Sequence, residues 1–170
     1  APREERDTAH SDWAGLLFLI NVLRDTASID ALLDDAALAA RPAAWVLHRL
    51  ALLLVPADPS DAAVLVFAGL RPGQLPAEFA DDPPGEEEQL ALLRHARGCV
   101  ERTCERLSTD VSEQVLYTVC ARRGDIVADP GWIEVRFPID TVDLDVRRAG
   151  LDLNPDYVSW LGLVLKFAYV

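Results

Sequence analysis

The chain has 170 residues, 51% apolar and 26% charged, and its 28 acidic against 16 basic side chains leave a formal net charge of −12. That length and apolar content suffice for one domain-sized core without disulfide or metal staples, far from the composition of disordered chains. The acidic balance repels the phosphate backbone, which Lys and Arg must neutralise in sequence-independent nucleic-acid binding, so DNA and RNA are excluded as expected partners.

Lys166 is the single lysine among the basic residues, and Met is absent. Such an Arg-rich, Ala- and Leu-rich bias is that of a high-GC bacterial genome, and a chain without an initiator Met reads as a processed or excised part of a longer one. Residues 1–10 read as a linker or flexible N-terminus, polar and without the apolar stretch of a signal peptide. Residues 11–170 read as a single domain, mostly helical over 11–107 and mostly strand over 111–170. Asn21 interrupts the apolar run from Trp13 to Leu23, and His48 and Arg49 interrupt the run from Ala43 to Val55. Neither run spans a bilayer, and the expectation is a cytoplasmic protein with no membrane partner.

Ser11 is placed to cap a first helix. From Trp13 to Leu23 apolar side chains occupy every helical face, the pattern of a helix surrounded by other elements. It is predicted to lie between the helix over 43–55 and a sheet face. Ser28 starts a short helix to Leu33, Pro42 opens the helix over 43–55 and Pro56 closes it, and Ser60 caps a helix stopped by Gly69. Pro72, Gly73, Pro76, Pro83, Pro84 and Gly85 make residues 71–85 a surface loop. Glu86, Glu87 and Glu88 then place negative charge at the start of a helix that ends near Arg106, with Arg97 and Glu101 spaced as an i, i+4 pair.

After Asp110 the composition turns β-branched and aromatic. Val115 to Cys120 reads as a strand, Arg122 to Asp125 as a turn and Ile126-Val127 as the return strand. Trp132 to Phe137 alternates, with Ile133, Val135 and Phe137 on a core face and Trp132, Glu134 and Arg136 on a wet one. Residues 143–149 read as a short helix, and Leu163 to Val170 as a last strand. The fold class is therefore α+β, an N-terminal helical layer packed on a small C-terminal antiparallel β-sheet.

No catalytic or ligand-binding motif emerges. Cys99, Cys104 and Cys120 read as buried thiols of a reducing compartment. His95 and Cys99 share a helical face, but Cys104 points away, and no four-ligand set stands at zinc spacing. Asp152, Asn154 and Asp156 imitate the start of a calcium loop, whose required Gly and Glu are replaced by Tyr157 and Leu163; Asn154 reads instead as the cap of a turn opened by Pro155. Asp140, Asp143 and Asp145 fit a capped helix start better than a magnesium cluster. Neither cofactor nor metal is expected. Catalysis by His48 or His95 would require a carboxylate converging with it in a cavity of workable size.

The stretch WIEVRFPIDTVDLDVRRAGLDLNPDYVSWLGLVLKFAYV, residues 132–170, and more loosely Trp13 to Leu23, resemble uncharacterised proteins encoded in bacterial contractile injection system clusters, which build phage-tail-like particles. The chain departs from that pattern at Asp156 and Tyr157, where a glycine and a tryptophan follow the proline. The resemblance implies a cytoplasmic, non-enzymatic part in particle assembly, incorporated or not into an exported particle, and carries over no catalytic residue. The expected partners are proteins, including other particle subunits. The interface candidates are Trp132, Glu134 and Arg136 on the wet face, with Trp132 either exposed or covered by the 71–85 loop, and Lys166 and Ala168 on the final strand. That strand, read as an open edge, predicts self-association. The alternative reading is a small hydrolase-like enzyme using an Asp/His pair near residues 71–85.

Overall fold

The computed structural model describes residues 7–170 and has the expected α+β architecture. The chain opens with strand β1 (Asp7–Ser11), a 3-10 turn at Ala14–Phe18, and helices α1 (Leu19–Asp25) and α2 (Ser28–Leu33). Helices α3 (Ala43–Leu54), α4 (Ala62–Phe67), α5 (Ala77–Asp81), α6 (Glu86–Arg106) and α7 (Glu113–Cys120) follow. Strands β2 (Gly124–Asp129) and β3 (Trp132–Phe137), helix α8 (Leu144–Arg148), and strands β4 (Asp156–Val158) and β5 (Leu163–Tyr169) complete it.

The five strands form one sheet in the order β1-β2-β3-β5-β4. Three of its pairings are antiparallel and one, β3 with β5, is parallel. Parallel neighbours require a crossover, which residues 138–162 supply through α8 and β4. The β2–β3 hairpin turns at Pro130-Gly131, where proline presets a negative φ and Gly131 takes φ 71° at no steric cost.

Two expectations change at the sheet's edges. Residues 7–10, predicted as the end of a linker, belong to β1, which pairs with β2 from Asp7↔Ala128 to Ser11↔Gly124; residues 1–6 of that predicted linker lie outside the described residues. The final strand is not an open edge, because β5 lies inside the sheet between β3 and β4. Its 163–165 segment pairs with β4, and beyond it the Asn154 side-chain oxygen accepts the Phe167 amide at 2.7 Å. Asn154 thus extends the ladder rather than capping a turn.

Residues 115–120 are helical rather than a strand. Leu116, Val119 and Cys120 are buried at i, i+3, i+4 spacing, and Trp13 packs edge-on against Tyr117 with ring centroids 5.3 Å apart. Tertiary packing of that stripe overrides the β-branched bias. The hairpin therefore starts later, at Gly124.

The apolar segment after Trp13 forms the centre of the core, with Ala14 through Leu23 all buried. Its first half is 3-10 and packs on α4 and α7, while α1 packs on α6 and α2. Phe18 reaches the sheet, 4.9 Å from the Phe137 ring and 5.0 Å from Phe167. Helix α3, the expected neighbour, packs chiefly on α6 and α4. Gly15 lets the 3-10 turn lie close on α7, since a Cβ there would stand 2.1 Å from the Val119 carbonyl oxygen. Asn21, buried in the same segment, donates from Nδ2 to the carbonyls of Leu151 and Leu153 at 3.0 and 2.8 Å, tying the crossover to the central helix.

Two of the expected caps differ: Asp61 takes the place of Ser60, and Ser11 ends β1 instead of capping a helix. Asp61, not Ser60, caps α4 by accepting from Ala63 at 2.9 Å, while Ser11 accepts from the Trp13 amide at 2.9 Å and donates to Asp61 at 2.8 Å. Residues 71–85 carry α5 and are strapped to α3 and its approach. The Trp45 indole donates to the Asp82 carbonyl at 3.1 Å, Arg49 donates to that of Phe79 at 2.7 Å, and Arg41 pairs with Asp82 and Glu88. No helix among the described residues is long and apolar enough to cross a membrane.

Candidate functional site

Alternation along β3 sends Ile133, Val135 and Phe137 into the core and Trp132, Glu134 and Arg136 to the opposite face. The parallel register then sets Trp132 beside Val164, Glu134 beside Lys166 and Arg136 beside Ala168. All five candidates from the sequence therefore share the outward face of two adjacent strands. Trp132 is 46% exposed. The strap over 71–85 lies on α3 instead of covering it.

The antiparallel registers extend these rows across the sheet. Trp132 stands in one row with Asp129 on β2, Val164 on β5 and Tyr157 on β4, and Tyr157 is 62% exposed. The next row holds Thr8, Val127, Glu134 and Lys166, and the third His10, Asp125, Arg136 and Ala168. Tyr157 and Val164 were not legible as site residues. Strand β4 is three residues long, follows Pro155 and begins on the positive-φ Asp156, so it shows no alternation to read.

Ion pairs position the charged side chains of this face. Arg136 donates from Nε and Nη2 to Glu134 at 3.2 and 3.0 Å, and Lys166 pairs with Asp156 while its Nζ stands 5.8 Å from the Trp132 ring centroid. His10 reaches Asp12 at 3.0 Å and Asp125 at 3.1 Å through its two ring nitrogens. The hydrogen bond to Asp12, followed by that to Asp125, raises its pKa. The result is a mixed aromatic and charged surface on which Arg136, Lys166 and His10 are each paired with a carboxylate.

The groups weighed for chemistry are dispersed. His48 is 2% exposed and donates from Nε2 to the Pro59 carbonyl at 2.8 Å. It lines a cavity of about 240 Å³ beneath the strap, in which no carboxylate side chain takes part. His95 does meet a carboxylate, Asp35, at 2.7 Å, but beside a cavity of about 30 Å³, roughly a tenth of what a small-molecule site needs. The hydrogen bond from His95, then that from Ala37, lowers the Asp35 pKa.

The three thiols are buried, and burial pushes Cys99 up to about 12. Among the described residues no cluster of three or more His, Cys, Asp or Glu side chains could hold a metal. Of the calcium-like trio, Asp152 accepts from the Tyr169 hydroxyl at 2.7 Å, Asn154 holds Phe167, and Asp156 pairs with Lys166. Asp143 caps α8 as expected, accepting from Asp145 at 2.8 Å, and also pairs with Arg122 at 2.9 Å. Comparison with protein-family models, curated proteins and solved structures finds no match among any of the three.

Proposed function

We propose that this domain binds other proteins through the outward face of its sheet, as a non-enzymatic structural or assembly component of a bacterial contractile injection particle, built in the cytoplasm. The observation that carries the binding half of this reading is the row Tyr157, Val164 and Trp132, two exposed aromatics flanking an aliphatic residue on adjacent strands. Exposed aromatic anchors beside Arg are what interface hot spots are made of. The particle half rests on the resemblance of residues 132–170, the stretch that forms β3, β4 and β5 and so supplies Tyr157, Val164 and Trp132. The net charge of −12 favours basic or apolar partner surfaces over polyanions.

Co-purification from cells assembling such particles tests both halves. The wild-type domain is expected to bring down particle subunits, and a folded Trp132→Ala, Tyr157→Ala double variant to lose them. Retention of every subunit by the variant contradicts the binding face, and recovery of partners unrelated to any particle contradicts the assembly role.

A further inference from the structure

His48 and Arg49 follow one another on α3, and both line the cavity of about 240 Å³ that α5 closes from outside. The rest of its wall is apolar, chiefly Leu52, Leu75 and Phe79. The Pro59 carbonyl only accepts, so its 2.8 Å contact places the imidazole proton on Nε2 and leaves Nδ1 as a bare lone pair. That Nδ1 is buried and has no partner. Nε–H of Arg49 is buried and unpartnered too, although Nη2 of the same guanidinium donates to the carbonyls of Phe79 and Asp82 at 2.7 and 3.3 Å. Buried polar atoms are almost always paired; here an acceptor and a donor, on adjacent residues of one cavity wall, are both left over.

We propose that this cavity binds a small carboxamide carried on an apolar body, with α5 as its lid. A carboxamide offers a carbonyl oxygen to the Arg49 Nε–H and an N–H to the His48 lone pair, satisfying both without any change of protonation. A carboxylate would set oxygen lone pairs against that of Nδ1. The apolar wall receives the body of the ligand. Helix α5 suits a lid because none of its residues is buried, and the Phe79 ring lies 5.5 Å from the imidazole. Both unpaired atoms are sealed in the closed structure, so the ligand reaches them only as the α5 lid moves away from α3. This site is separate from the sheet face and does not depend on the role proposed for it.

Benzamide and benzoate, alike in size and shape, are the probes, with the ring nitrogens of His48 read separately by two-bond proton–nitrogen correlation on the full chain. Benzamide is expected to move the Nδ1 resonance saturably, leave Nε2 protonated and shift the α5 amides. Benzoate should need about tenfold more to produce the same change. Ala80→Leu, which fills the cavity from an exposed position on the lid, should weaken benzamide about tenfold. A folded wild-type protein whose Nδ1 does not respond to benzamide overturns the site, and an equal or stronger response to benzoate overturns the ligand class. Undiminished binding in folded Ala80→Leu overturns the location; if that variant does not fold, Leu52→Phe makes the same test.

Discussion

The side-chain oxygen of Asn154 accepts the backbone amide of Phe167 at 2.7 Å, so a loop residue just before β4 continues the sheet past that strand's first residue. Removing it leaves a strand amide unpaired. Asn154→Ala is expected to cost about 0.5–1.5 kcal/mol and to make self-association depend on concentration, because an opened strand edge templates pairing. Chemical denaturation and light scattering check the two effects. A variant as stable and as monodisperse as the parent would show that the ladder does not need this bond.

The same bond fixes the direction of the neighbouring amides. With the Phe167 amide turned toward Asn154, that of Ala168 turns toward β3, so Ala168→Pro strikes the parallel ladder instead of an exposed edge. Loss of that bond is expected to lower stability by about 1–3 kcal/mol, measurable by thermal melting. An unchanged melting temperature would mean that β5 does not pair with β3 along its length.

Leu17 is fully buried in the central segment. Leu17→Ala is expected to cost about 2–5 kcal/mol, whereas a loss under ~1 kcal/mol in urea unfolding would put that segment at the surface. Gly15→Ala, with a new Cβ driven into the Val119 carbonyl, should destabilise at least as strongly.

His10 joins β1 to β2 through Asp125 and to the following loop through Asp12. Its pKa is raised in the folded protein. Its contribution to stability is therefore complete below the unfolded value of about 6.5 and lost as pH rises through the folded value. Titration by NMR should place His10 above 6.5, and His10→Gln should remove this share of the pH dependence of melting. A value at or below 6.5 would mean that the two carboxylates do not hold the imidazolium.

Where one periodicity ran unopposed, the sequence was readable. The all-round apolar stretch after Trp13 is the buried centre, residues 86–106 form a helix started by three glutamates, and the alternation from Trp132 to Phe137 sorts core from outward face. Sequence pattern and fold part where distant contacts decide. Val115 to Cys120 has strand composition, yet its buried stripe at 116, 119 and 120 is drawn into a helix by Trp13 and the gap at Gly15. Asp7–Ser11 is too polar to announce a strand and becomes one only because β2 offers it an edge. The interior position of β5 depends on a crossover whose anchors, Asn21 and Asn154, look like ordinary loop and helix asparagines until the fold brings their partners to them.

The most direct measurement is binding by the Trp132→Ala, Tyr157→Ala double variant, compared with wild type in pull-down from particle-assembling cells and in circular dichroism. Trp132 is 46% and Tyr157 62% exposed, so the double variant should keep the circular dichroism spectrum of the folded parent, while particle subunits captured by the wild type are lost. A folded double variant that captures the same subunits in the same amounts would show that the outward face of the sheet is not where this domain meets its partners.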